Sequence, residues 1–226
     1  MQARHRTTRL LAAAVLLASA FALPAATSNA NAPTDGRVRA LFFGDSLMSG
    51  VGAHPLRPVM ARVAARRLDW DITVDAVAGT GYTTGGHHGR PYLERLSRPG
   101  VLSPAYDVVV IEGGTNDKAA DPATVHTRAT ETISYVRTRL PTARIVLMGA
   151  YNPPGRRYDA RRVTIDAALR AVSVEQSLPY FSPISGHWTK GQGRRFLCPD
   201  GLHPSTYGYG VMGAHLVLAL RAAHVA

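Results

Sequence analysis

A single cysteine, Cys198, in 226 residues excludes an intramolecular disulfide and every metal site built on several thiolates, so stability has to come from a packed core. Acidic residues are also scarce, 15 against 26 Lys and Arg, for a formal net charge of +11. The surplus is mostly arginine spread along helical segments (Arg62, Arg66, Arg67, Arg137, Arg139, Arg161, Arg162) without interleaved aromatics. That pattern reads as a solvated face rather than a nucleic-acid site. It permits loose attraction to anionic polymers or lipid headgroups without requiring it. No Pro/Ser-rich linker, internal repeat or low-complexity tract divides the chain, and no apolar run reaches the ~20 residues that cross a bilayer.

The apolar run that comes nearest, 10–23, follows Arg4, Arg6 and Arg9 and precedes Ser28-Asn29-Ala30-Asn31-Ala32. A basic stretch, a short apolar core and small residues at an A-x-A-like site are the marks of a secretory signal peptide. Cleavage after Ala30 or Ala32 fits, with Pro33 disfavouring the latter. The expected organisation is a signal peptide over 1–30 and one domain over 31–226, secreted to the cell envelope or beyond. Losing three of the 26 basic residues and no acidic one lowers the net charge from +11 to +8.

Four short blocks carry chemistry. Gly44-Asp45-Ser46-Leu47 follows the apolar run 38–43, and Asp200-Gly201-Leu202-His203-Pro204 sets a carboxylate three residues before an imidazole. A serine hydroxyl needs an adjacent base to take its proton and a third group to fix that base's tautomer, and these blocks contain candidates for all three. Between them, Ala78-Gly79-Thr80 and Gly113-Gly114-Thr115-Asn116-Asp117 offer a backbone N–H and an amide to a developing oxyanion.

In this order the four blocks, spanning about 39–207, resemble the SGNH or GDSL hydrolase family of esterases and lipases. The resemblance implies Ser46 as nucleophile, His203 as base, Asp200 as its partner, and Ser46, Gly79 and Asn116 as oxyanion donors. The glycine block lacks the asparagine that often precedes it, Asp75 being nearest to that place. Gly81, two residues on, leaves the backbone donor open between Gly79 and Gly81. An ordinary α/β-hydrolase fits less well, because its G-x-S-x-G elbow needs a second glycine that Gly44-Asp45-Ser46-Leu47-Met48 lacks.

Strand-like runs at 38–43, 72–77, 107–111, 144–148 and 179–181 are mostly near-continuously apolar, as in a parallel sheet buried on both faces. Amphipathic segments at 55–68, 122–140, 159–177 and 205–223 alternate with them. Asp121-Pro122 marks a helix start, and Ser205 or Thr206 can cap the last helix. The expected fold is a three-layer α/β/α sandwich on a five-stranded, mainly parallel sheet, the flavodoxin-like form of the SGNH hydrolases. Ligands in open α/β sheets bind at the carboxyl ends of strands, and Ser46, Gly79 and Asn116 follow the first three.

The chemistry expected is ester hydrolysis through an acyl-enzyme on Ser46, with short to medium acyl chains favoured and no cofactor or metal. Acyl transfer, carbohydrate O-deacetylation at the same site and a catalytically idle binding protein are the alternatives. The partner expected is a small-molecule, glycan or lipid ester, with no nucleic acid, no stable membrane insertion and a monomer assumed. His87-His88, flanked by Gly85, Gly86 and Gly89, reads as a surface loop rather than a metal site. Cys198 reads as a small buried residue supporting the catalytic loop, Asp45 and Asp117 as structural hydrogen-bond partners, and Trp188 as either a pocket wall or a core plug.

Overall fold

Strand β1 (Arg39–Gly44) is flanked by β2 (Asp71–Ala76) and β3 (Val108–Glu112), and β4 (Arg144–Met148) and β5 (Tyr180–Phe181) complete a sheet ordered β2-β1-β3-β4-β5. Every pairing is parallel. The computed structural model describes residues 36–226 apart from 58, 103–104 and 156–158, so the predicted leader lies outside the described residues.

Side chains alternate across a strand with a period of two, and both faces of this sheet are covered. On one side Ala40 and Phe42 of β1 pack with Val108, Val110, Val146 and Met148 against α2 (Met60–Leu68) and α6 (Thr206–Ala222). On the other, Leu41 and Phe43 pack with Val109, Ile111, Ile145 and Leu147 against α3 (Tyr92–Leu96), α4 (Pro122–Arg139) and α5 (Ala160–Glu175). Each fully buried side chain of this kind contributes ~1.5–3 kcal/mol. The chain is therefore a three-layer α/β/α sandwich, and its strand order is the flavodoxin-like one.

Three differences from expectation have local causes. The segment predicted over 55–68 becomes helical only at Met60, because a residue before proline is pushed out of the α region and Arg57 precedes Pro58. Asp121 stands at the N-cap of α4 without a side-chain cap bond, whereas Ser205 Oγ does accept from the Gly208 N–H at the start of α6. Helix α3 is only five residues long, too short for its periodicity to show in the sequence. It nevertheless delivers Arg95, which is 2% exposed. Arg95 Nη1 donates to the Gly44 carbonyl (2.9 Å) and Thr80 Oγ1 (2.7 Å), and its Nη2 pairs with Asp75 Oδ1 at 2.6 Å. One guanidinium thus ties the ends of β1 and β2 together beneath the loops that follow them.

Candidate active site

The strand order reverses between β1 and β3, and the loops leaving these two strands bring Ser46 and Asn116 side by side. Asp45 caps the single-turn helix α1 (Ser46–Ser49): its Oδ1 accepts from the Leu47 N–H at 2.8 Å. Ser46 occupies the first helical position, 7% exposed. Asn116 opens a 3-10 turn, Asn116–Ala119, directly after β3 and Gly113-Gly114-Thr115.

The imidazole arrives from the other end of the chain. Residues 197–204 form a closed loop, with Leu197 bridged to Pro204, Cys198 N–H donating to His203 O at 2.9 Å, and Gly201 left-handed at φ 65°. Asp200 Oδ1 accepts from the N–H groups of Leu202 and His203 (2.8 and 2.9 Å), and Asp200 Oδ2 lies 2.6 Å from His203 Nδ1. A carboxylate can only accept, so Nδ1 carries the hydrogen and Nε2 is left as an acceptor. His203 Nε2 stands 2.9 Å from Ser46 Oγ. The Asp200 carboxylate is partly desolvated, which alone would raise its pKa. Hydrogen bonds from the Cys198 thiol, His203 and the Leu202 and His203 amides outweigh this and hold it below the usual carboxylate range. Cys198 is half-buried rather than buried, because its thiol turns toward that solvent-facing carboxylate.

The oxyanion candidates divide. Gly81 N–H donates to Thr84 O at 2.8 Å and is already committed. Gly79 adopts φ 77°, the left-handed region that favours glycine, and its N–H has no partner among the described residues. Ser46 N–H likewise has none. Asn116 Nδ2 donates to Asp45 Oδ2 at 2.8 Å and to Thr80 O at 2.9 Å, so both its hydrogens are engaged. Asp117 supports the glycine loop, accepting from the Tyr82 and Thr83 N–H groups and from Thr83 Oγ1.

A cavity of about 160 Å³ opens over Ser46, lined by Ser46, Leu47, Asn116, Tyr151, Leu202 and His203, with Thr115, Lys118 and Arg162 completing its wall. Gly79 is not among its lining residues. A larger groove of about 550 Å³ runs along the β2 edge beside Asp75, Arg98 and Tyr106, but it contains no paired nucleophile and base. Trp188 is 6% exposed and stacks on His215 with ring centroids 5.4 Å apart, so it plugs the core and lines no part of the cavity. His87 is exposed in a 3-10 turn, and no group of three His, Cys, Asp or Glu suited to a metal occurs among the described residues.

With Ser46, His203 and Asp200 in bonding contact, a sequence model of the GDSL-like lipase/acylhydrolase family matches residues 42–211, most of the chain. The chain belongs to this family. This GDSL-like hydrolase is thus a carboxylic ester hydrolase, and solved structures similar to it share its fold. A lipase, Lip_vut3 from a goat rumen metagenome, is 22% identical over 80% of this chain and 97% of that one, with a TM-score of 0.62. A carbohydrate esterase family 2 enzyme with its carbohydrate-binding domain, from Corynascus thermopiles (Myceliophthora fergusii), is 20% identical over 87% and 69% of the two chains, with a TM-score of 0.67. A putative GDSL-like lipase from Parabacteroides merdae is 18% identical over 80% and 94%, with a TM-score of 0.63. No curated protein matches.

Sequence reasoning missed several residues that build this site. Glu112, at the end of β3, is fully buried beneath the turn that bears Ser46, and Asp45 N–H donates to its Oε2 at 3.2 Å. Its signal was present: a charge closing the all-apolar run Val108-Val109-Val110-Ile111 is unusual unless that charge has a partner. Arg95, Tyr151 and Lys118 gave no comparable signal, since each becomes notable only through what the fold sets beside it.

Proposed function

We propose that this GDSL-like hydrolase is a secreted serine esterase that cleaves carboxylic esters of short to medium acyl chains through an acyl-enzyme on Ser46. The observation that carries the reading is the continuous chain Asp200 Oδ2, His203 Nδ1, His203 Nε2, Ser46 Oγ, with contacts of 2.6 and 2.9 Å. Ser46 Oγ attacks the ester carbonyl carbon while His203 Nε2 takes the hydroxyl proton, and Asp200 stabilises the imidazolium that results. The C–O bond to the alcohol then breaks, and His203 returns the proton to the departing oxygen. Water repeats the sequence on the acyl-enzyme, giving the acid and restoring Ser46.

The unpartnered N–H groups of Ser46 and Gly79 are suited to the oxyanion. Asn116 joins them by sharing a hydrogen now held by Asp45 or Thr80. Donors of this type contribute ~10²–10³ in rate each.

Cavity size supports the acyl preference. About 160 Å³ admits a small acyl group and leaves little room for a long one. Extra methylenes, worth ~0.8 kcal/mol each when a wall covers them, would project beyond a space of this size. Thr115, Lys118 and Tyr151 on the cavity wall carry hydrogen-bonding groups that suit an oxygen-rich alcohol, so carbohydrate O-deacetylation is the second reading, in keeping with the carbohydrate esterase among the structures of similar fold.

Measuring kcat/KM across p-nitrophenyl esters from acetate to palmitate tests the preference. A maximum at the short to medium end supports it, and a steady rise to palmitate contradicts it. Acetate release from acetylated xylan or cello-oligosaccharides separates the second reading from a general short-chain esterase. Secretion rests on the leader's composition, and N-terminal sequencing of exported protein tests it.

A further inference from the structure

Two carboxyl groups, Asp45 and Glu112, are both 0% exposed and lie against each other under the nucleophile's turn. Among the described residues no salt bridge reaches either of them. Arg95 donates to the Gly44 carbonyl, but its ion pair is with Asp75 rather than with either of these groups. Asp117 and His203 are the other ionisable neighbours of Asp45, and the Tyr82, Tyr92 and Tyr209 phenols surround the pair, kept neutral chiefly by their own burial. Two buried carboxylates cannot meet as ions, because desolvation and mutual repulsion both favour a neutral form.

The bonding decides where the proton sits. Glu112 Oε2 accepts a single, long bond from the Asp45 N–H at 3.2 Å, and its buried Oε1 has no hydrogen-bond partner among the described residues. Asp45 is better served as an anion, accepting from Leu47 N–H on Oδ1 at 2.8 Å and from Asn116 Nδ2 on Oδ2 at 2.8 Å, so the proton belongs on Glu112. Gly44 is what admits Glu112 here, since a Cβ on residue 44 would lie 2.5 Å from Glu112 Oε2.

We propose that Asp45 and Glu112 form a one-proton carboxyl pair in which neutral Glu112 is a positioning residue. It locks Asp45, and through it both the turn bearing Ser46 and the amide of Asn116. This rests on the reading of Ser46 as nucleophile and Asn116 as oxyanion donor. A protonated glutamic acid and a glutamine are near-isosteric, each presenting one carbonyl acceptor and one donor, whereas alanine removes both.

The test compares Glu112→Gln and Glu112→Ala with wild type, using p-nitrophenyl acetate turnover and infrared difference spectra of the folded proteins. Expected are a kcat lowered roughly tenfold to a hundredfold in Glu112→Ala with KM little changed, and recovery of most of that loss in Glu112→Gln. Wild type at neutral pH should show a protonated-carboxyl C=O stretch that Glu112→Gln lacks. If Glu112→Ala fails to fold, the infrared band and the Gln variant still decide the matter. A folded Glu112→Gln whose kcat falls as far as that of Glu112→Ala, tenfold or more, or wild type without a protonated-carboxyl band, overturns the proposal. Because the infrared readout needs no turnover, an active Ser46→Ala would defeat the nucleophile assignment while leaving the pair's protonation to stand or fall by itself.

Discussion

His203 Nε2 stands 2.9 Å from Ser46 Oγ although 157 residues separate them in the chain. The contact is anchored beyond the two residues themselves. Tyr209, on the first turn of α6 after the His203 loop, donates to Val51 O at 2.8 Å and approaches Ser46 O at 3.3 Å. The helix that follows the His203 loop is thereby fastened to the turn that carries Ser46. Tyr209→Phe keeps the packing but removes these bonds, and it should cost ~1 kcal/mol of stability and lower kcat more than it raises KM. Denaturant unfolding together with steady-state kinetics measures both, and an unchanged kcat in a destabilised protein would show that the anchor serves folding alone.

Asn116→Ala should lower kcat by ~10²–10³ with little change in KM, as expected of a donor that acts on the transition state. Its two present bonds, to Asp45 and Thr80, add a second effect: the variant should also unfold at a lower temperature. A rise in KM with kcat preserved would make Asn116 a substrate-binding residue instead.

Titration gives two separate expectations. Asp200 is held below the ordinary carboxylate range by its hydrogen bonds, so it remains ionised as pH falls through the region where hydrolysis is lost. The acid limb of kcat/KM should then carry no contribution from Asp200. Glu112 has the opposite sign. Burial raises its pKa in the folded protein, so the stability it contributes is complete below the unfolded value of ~4.3 and is lost as pH rises toward the folded one. Asp45, pushed up to about 6 by burial, adds in the same sense. The thermal stability of Glu112→Gln should therefore gain on wild type as pH rises from 5 to 9, on the order of one proton's linkage. A constant difference across that range would mean that Glu112 does not titrate with folding.

Most of the architecture was legible because each element carried its own pattern. The apolar runs of β1, β3 and β4 needed no context, and Asp200 and His203 travel together in one loop, so three residues of sequence already hold one side of the site. What stayed hidden depends on pairing across the fold. Glu112 is meaningful only because parallel register brings the end of β3 beside the end of β1, where Phe43 pairs with Ile111. Arg95 sits on a helix of five residues, and nothing in Tyr92-Leu93-Glu94-Arg95-Leu96 announces that one of its two charged groups is buried against the ends of two strands. The choice between Gly79 and Gly81 turned on a single backbone bond, Gly81 N–H to Thr84 O, which no spacing rule supplies.

Cys198→Ser should retain most activity, because the serine hydroxyl can make the same bond to Asp200 that the thiol makes. Alkylating the thiol in the folded wild type should impair turnover modestly, by pushing a bulky group against that carboxylate. Complete inactivation by alkylation in wild type, with none in Cys198→Ser, would reopen the thiol as a reacting group.

The central claim is that Ser46 forms the acyl-enzyme, and covalent labelling combined with Ser46→Ala tests it most directly. A fluorophosphonate should add one label per wild-type chain, on Ser46 by peptide mass mapping, and none to Ser46→Ala. That variant should fold normally and lose ester hydrolysis by well over a hundredfold, since removing a triad member typically costs ~10⁴ or more. Label on any other residue, or a folded Ser46→Ala that keeps more than about a hundredth of the wild-type kcat, would contradict it.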